Sequence, residues 1–86
     1  MPRFTFHTDP GHGWLEVPLA MLRDLNIHNK ISAYSYKDAV NAYLEEDCDA
    51  ALFLAAFALK HGLPPNLNHA YSSMNSFIRN LHPYQG

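Results

Sequence analysis

The stretch RFTFHTDPGHGWLEV, residues 3–17, decides the first part of the fold. Its two phenylalanines alternate with polar residues over Arg3 to Thr8, which places both on one face of a half-buried strand. The segment from Asp9 to Gly13 is dense in turn formers, because proline fixes one φ angle and glycine tolerates positive φ. Trp14 to Val17 can then return as an antiparallel strand. The sequence therefore predicts a β-hairpin here.

A helix is predicted over Asp47 to His61. Asp47 is a suitable N-cap, neighbouring carboxylates complement the positive end of the helix dipole, and Gly62 with two prolines ends the helix. Its middle, Ala50 to Leu59, contains no polar side chain, and a helix that is apolar all round is expected to be buried on most faces. Two outcomes stay open for its alanine-rich side: the tail of the chain covers it, or it forms a partner surface such as a homodimer interface.

Shorter elements lie between these two stretches. Pro18 can occupy the first turn of a short helix over Leu19 to Leu25, with Asn26 at its C-terminal end. Ile31 to Tyr36 and Ala42 to Glu45 favour a second pair of strands.

The tail is less regular. A strand is possible at Leu67 to Tyr71, followed by a helical turn through Phe77 to Leu81 that Ser72 or Ser73 would cap. The fold class predicted is α+β: a small antiparallel sheet of two hairpins, with a possible fifth strand, packed against one long apolar helix and one or two short helices.

Length and composition set limits on function. The 86 residues have room for one domain, and 48% hydrophobic residues suffice for a packed core. The net charge is −2, and the six Lys and Arg residues are scattered, so the basic footprint of a nucleic-acid binder is missing. A single cysteine, Cys48, fits a reducing compartment. No apolar run approaches the roughly 20 residues of a membrane span, so we expect a soluble cytoplasmic protein.

Some residues suggest catalytic or metal-binding chemistry. His7, Asp9 and His12 could in principle share a metal ion, as in a small metal-dependent hydrolase, but the favoured interpretation is turn architecture, with Asp9 bonding backbone amides. Cys48 lies at a helix start, where the dipole can activate a thiol. Its default interpretation is a small buried residue. No catalytic residue, metal site or cofactor is predicted.

The candidate partner-binding residues are acidic and aromatic. Four carboxylates crowd the end of a strand and the start of a helix, where they serve either as caps or as a landing site for a basic surface of a partner. Three aromatic residues are of the types enriched in binding hot spots, although such residues also fill sheet faces. The predicted set is Glu45, Glu46, Asp47, Asp49, Trp14, Tyr34 and Tyr36.

Three blocks of sequence carry a resemblance: FHTDPGHGWLEV at residues 6–17, YLEEDCDA at 43–50 and SFIRN at 76–80. With them the chain resembles a family of short uncharacterised proteins encoded by bacteriophages, prophages and plasmids. The resemblance implies a small accessory protein of a mobile element, and inhibitors of CRISPR effector complexes are one class of such proteins.

The function expected is therefore non-enzymatic protein binding, as an inhibitor of a bacterial defence complex such as a CRISPR effector. The alternatives are a homodimeric structural or regulatory module without a host target, and a metal-dependent hydrolase that uses His7, Asp9 and His12.

Overall fold

The predicted first hairpin forms. In the computed structural model, which describes residues 3–85, strand β1 (Arg3–Thr8) pairs antiparallel with β2 (Gly13–Pro18), and Phe6 lies opposite Leu15. The first residue of the return strand is a glycine, and a Cβ atom at this position would lie only 2.8 Å from the Phe6 ring. A larger residue here would therefore require Phe6 to move.

The remaining strands extend this hairpin into one six-stranded sheet. They are β3 (Tyr36–Lys37), β4 (Asn41–Glu45), β5 (Asn66–Tyr71) and β6 (His82–Pro83), and the strand order is β5-β1-β2-β4-β3-β6. The α+β class is correct, but the prediction of a purely antiparallel sheet is wrong. β5 runs parallel to β1, so the sheet is mixed, and β6 adds a sixth strand beside β3.

The predicted strand Ile31–Tyr36 is largely replaced by turns, and only Tyr36 belongs to a strand. The cause is the carboxylate of Asp49, which accepts hydrogen bonds from the amide and hydroxyl of Ser32 and from the hydroxyl of Ser35. These bonds hold the segment in a turn. Its backbone is therefore not extended, and its amides and carbonyls cannot pair with a neighbouring strand.

Helix α1 (Leu19–Asp24) ends close to Asn26, the residue that the sequence places at its C-terminal end, and Asn26 is left-handed. Asn26 has φ 58°, and its amide donates to the Arg23 carbonyl at 2.9 Å. The amide of Ile27 donates to the Leu22 carbonyl, also at 2.9 Å, and both side chains are buried. This pair of bonds is a Schellman motif, which fixes how the chain leaves the helix.

Helix α2 (Asp49–His61) departs from the predicted long apolar helix. It has 13 residues and bears charged or polar side chains at both ends, and Cys48, not Asp47, is its N-cap residue. Gly62 ends it with φ 80°, as predicted. Only one side is buried, through Ala50, Phe53 and Phe57, so burial on most faces does not occur.

The tail contains the strand β5 and a 3-10 helix over Phe77–Asn80. Its cap is Ser76, whose hydroxyl accepts from the Ile78 amide, and neither Ser72 nor Ser73 takes that role. Within residues 3–85, no helix is long and apolar enough to span a membrane.

The two faces of the sheet are packed differently. The helix face carries Phe4, Leu15, Val17, Ala42 and Leu44 from the strands and lies against α1 and α2. The cleft face carries Trp14 and Tyr43 from the strands and is partly covered by Ile78 of the 3-10 helix. The cleft face therefore has only a thin cover from the tail of the chain.

Candidate functional site

A surface cleft opens on the cleft face, at the ends of β2 and β4. Its volume is about 460 Å³, and it is lined by His12, Trp14, Tyr34, Tyr36, Glu45, Asp47, Cys48 and Arg79. Among these are five residues that the sequence predicts to bind a partner: Trp14, Tyr34, Tyr36, Glu45 and Asp47. Residues from distant parts of the chain thus form one concave, partly aromatic surface, which is the usual form of a binding site.

Trp14 forms the floor of the cleft. It is 2% exposed, and the Tyr36 ring meets it edge to face at a centroid distance of 6.3 Å. The guanidinium carbon of Arg79 lies 5.3 Å from the centre of the indole, within the range of a cation–π interaction. These contacts hold both the aromatic floor and the arginine in fixed positions.

Asp9 holds Arg79 from the opposite side. Two guanidinium nitrogens donate to its carboxylate, Nε to Oδ2 at 2.7 Å and Nη2 to Oδ1 at 2.9 Å. Such bidentate pairs are the strong form of a charge-assisted hydrogen bond. The Arg79 guanidinium holds the pKa of Asp9 far below its usual range, and Asp9 in turn raises the pKa of Arg79. The arginine is therefore locked in place and its charge is largely balanced.

The same carboxylate organises the hairpin turn. The amides of Gly11 and His12 donate to Asp9 Oδ1 at 2.9 and 3.0 Å, and the amide of Ser76 donates to Oδ2 at 3.0 Å. The predicted role of Asp9 in the turn is confirmed. With Arg79 included, five N–H donors occupy this carboxylate, and two of them belong to a guanidinium cation, so the group is poorly suited to bind a metal ion.

The two histidines of the suggested metal set are also separated. His7 Nε2 lies 2.7 Å from Glu16 Oε1 on the cleft face, whereas His12 lies beside Trp14. Among residues 3–85, no three His, Cys, Asp or Glu side chains come together as a metal site would require. His7, Asp9 and His12 thus belong to three different sets of contacts.

Asp49 fixes the loop that carries Tyr34. The residue is 4% exposed, and its bonds to Ser32 and Ser35 are 2.5 to 3.0 Å long. Ser35 Oγ also accepts from the amide of Glu45 at 2.9 Å, which joins the loop to β4. Tyr34 is left 77% exposed at the cleft edge. Unlike the other acidic residues of the predicted partner-binding set, Asp49 is buried and positions the loop that carries Tyr34.

The other acidic residues form a rim. Glu45 lies opposite Trp14 in the β2–β4 pair, and its carboxylate accepts from the Asp47 amide at 3.0 Å. Asp47 and Glu46 are exposed, and Glu46 approaches Gly13 from outside the cleft. Asp47 does not cap α2, so its carboxylate is available on the surface.

Cys48 lines the cleft but is not activated. The predicted buried position is wrong, since the residue is exposed. Partial desolvation, followed by the negative charge of Asp49, raises the pKa of the Cys48 thiol. The thiol donates to Glu45 Oε1 at 3.7 Å, and this neighbouring carboxylate also disfavours a thiolate. The arrangement favours a thiol that stays protonated.

The cleft thus combines aromatic surface with surplus negative charge, because Asp9 balances Arg79 while Glu45 and Asp47 have no cationic partner among residues 3–85. Sequence reasoning missed His12 and Arg79 as members of the cleft. The spacing between Trp14 and Arg79 carries no periodic signal, since only tertiary contacts bring these parts of the chain together, such as the Asp9–Arg79 bonds and the packing of Arg79 on Trp14.

No protein-family model matches this chain, and no curated protein or solved structure is significantly similar to it. The function is therefore inferred from the cleft.

Proposed function

We propose that this chain is a non-enzymatic protein-binding protein that uses the cleft to engage a basic surface of its partner. The observation that supports this most directly is the convergence of Trp14, Tyr34, Tyr36, Glu45 and Asp47 around one cleft. Tyrosine and tryptophan provide large contact area at small conformational cost, and carboxylates at the edge orient a cationic partner.

The exposure of each cleft residue indicates the order in which a partner would contact it. Tyr34 projects at the edge and is the residue that a partner meets first, whereas Trp14 offers only a small part of its ring at the floor. Glu45 and Asp47 flank the approach, with Glu46 adding negative charge nearby. A lysine or arginine side chain of the partner would enter between the tyrosines and the carboxylates, where cation–π attraction and charge act together.

The biological setting comes from the resemblance to proteins of bacteriophages, prophages and plasmids. In that setting the protein acts stoichiometrically in the host cytoplasm and inhibits a bacterial defence complex by covering a working surface. A CRISPR effector complex is a suitable target class, because its nucleic-acid channel is positively charged and would pair with the acidic rim.

The test is affinity capture of host complexes, with charge reversal at the rim. The double variant Glu45→Lys, Asp47→Lys should lose the captured target, because two attractive charges become repulsive, and Tyr34→Ala should weaken capture. The matched control is Asp24→Lys, which reverses an exposed carboxylate outside the cleft lining and should capture normally. Equal capture by all variants, with folding intact, would remove the cleft from the proposal.

The exposed side of α2 supports a second candidate, a homodimeric module. Ala51, Ala55 and Leu59 lie on one side of the helix and are exposed, Leu59 at 88%. The tail does not cover them, so a second copy could pack there. Sedimentation over a range of concentrations tests this: a dimer should form and Ala55→Glu should abolish it. This variant also distinguishes the two candidate functions, because Ala55→Glu should leave target capture through the cleft unchanged.

A further inference from the structure

A small pocket lies between the end of α1 and the last described residues of the chain. Its volume is about 130 Å³, and its lining consists of Leu19, Arg23, His28, Lys37, Tyr84 and Gln85. Two of the six Lys and Arg residues of the chain therefore meet at one place, although they are distant in sequence. No carboxylate side chain of residues 3–85 belongs to the lining.

The walls of the pocket are held in place by bonds from other elements. Tyr84 is buried, its hydroxyl donates to the His28 carbonyl, and its amide donates to the Ser35 carbonyl at 2.8 Å. The Schellman motif at the end of α1 fixes the chain just before His28. The positively charged residues are thus carried by a rigid frame.

The charge of Lys37 is not neutralised by the acid that follows it in the chain. Asp38 follows Lys37, but its carboxylate accepts from the amides of Val40 and Asn41 and from the Tyr43 hydroxyl. These bonds hold the Asp38 carboxylate within its own turn. Among residues 3–85, neither Arg23 nor Lys37 forms a salt bridge, and no carboxylate side chain lines the pocket.

We propose that this pocket binds one phosphate-sized oxyanion, either inorganic phosphate or the phosphate group of a larger molecule. The volume has room for about four or five non-hydrogen atoms, judged from roughly 30 Å³ for each water in the liquid. Arg23 supplies a planar set of donors, Lys37 a point charge, and the amide of Gln85 a further donor. This site is separate from the cleft and does not depend on the function proposed for it.

The test is a titration of the ¹⁵N-labelled protein with sodium phosphate, followed by amide chemical shifts at constant ionic strength. Saturable shifts are expected at Lys37, Tyr84 and Gln85, with none for chloride. Arg23→Gln and Lys37→Gln should each weaken phosphate binding about tenfold or more, because each removes a charge-assisted contact. The matched control is Arg3→Gln, which removes a cation from β1, outside the pocket, and should bind normally.

Phenyl phosphate then distinguishes the source of the phosphate group. Binding of both probes supports a phosphate carried by a larger molecule, and binding of inorganic phosphate alone supports the free ion. Shifts that do not saturate, that chloride reproduces, or that persist unchanged in both variants would overturn the site. If Arg23→Gln fails to fold, Lys37→Gln carries the test, since Arg23 also lies in the last turn of α1.

Discussion

The two faces of the sheet are stabilised by different physical means. On the helix face, Phe4, Phe53 and Phe57 pack as a cluster, with Phe4 edge to face with both rings at 5.3 and 5.8 Å. On the cleft face, Ile78 of the tail packs on the small cluster of Trp14 and Tyr43, and the rest of the tail is held by directional polar bonds, above all those of Asp9 and Arg79. Apolar packing fills the space on its face, whereas polar bonds hold the tail at defined points and leave a cleft between them.

The largest expected effect is on the helix face. Phe53→Ala should reduce the free energy of unfolding by about 3 to 5 kcal/mol, because the buried ring is lost and a cavity remains. Urea unfolding followed by circular dichroism measures this change. The matched control is Phe77→Ala, which removes the same ring from a half-exposed position on the cleft face and should cost clearly less. Equal losses would mean that the two faces do not differ as described.

The second prediction concerns the polar bonds that hold the tail on the cleft face. Asp9→Asn keeps the shape of the side chain but removes the charge that binds Arg79, and its NH₂ group cannot accept from Arg79 Nε or the Ser76 amide. We expect a lower urea midpoint, by less than in Phe53→Ala. Hydrogen exchange should increase in residues 72–85 while Phe53 and its neighbours stay protected. Uniform loss of protection would contradict separate stabilisation of the faces.

The effect of Asp9→Asn should also depend on pH. The pKa of Asp9 in the folded protein lies below its ordinary value of 3.8, mainly because of Arg79. The ionised carboxylate therefore stabilises the fold above about pH 3.8, and this contribution is lost as the pH falls below that value. The gap between wild type and Asp9→Asn should narrow in acid. Asp38 also has a lowered pKa, so both proteins keep a common acid decline.

The two faces also differ in how much of their structure could be predicted from the sequence. Alternation along β1 follows from local sterics and burial, and it indicated that strand and the orientation of Phe4, while the turn formers after it indicated β2. The bond between Asp9 and Arg79 joins residues far apart in the chain, and no local pattern encodes it. The strand predicted at Ile31–Tyr36 failed for a related reason, since Asp49 draws that segment into a turn from a distant position.

The third prediction concerns this buried carboxylate. Asp49→Asn should cost about 1 to 3 kcal/mol, because the three bonds that Asp49 Oδ2 accepts from Ser32 and Ser35 would lose their charged acceptor. Loosening of the loop should also displace Tyr34 and weaken target capture beyond the loss of stability. Asp47→Asn is the matched control, as an exposed carboxylate nearby, and should leave the stability almost unchanged. Unchanged capture by folded Asp49→Asn would separate the loop from the binding surface.

The smallest expected effect is at Tyr43, where apolar and polar stabilisation meet. Its ring packs on Phe77 at 5.7 Å, and its hydroxyl donates to Asp38 Oδ2 at 2.8 Å. Tyr43→Phe keeps the ring and removes only the hydrogen bond, so we expect a loss of about 1 kcal/mol near neutral pH. A much larger loss would show that polar bonds dominate this face even where a ring is buried.

Alkaline pH sharpens this measurement. Burial, followed by the bond to Asp38, raises the pKa of Tyr43 from 10.0 to about 12. A group with a raised pKa stabilises the fold below its unfolded value, and that contribution disappears as the pH rises from 10 toward 12. Urea midpoints in this range should therefore fall less in Tyr43→Phe than in wild type, whereas Tyr71→Phe, at an exposed tyrosine, should follow wild type. Burial also raises the pKa of Tyr84, so some alkaline decline remains in every variant. Parallel curves for wild type and Tyr43→Phe would show that the Tyr43 hydroxyl does not stabilise the cleft face.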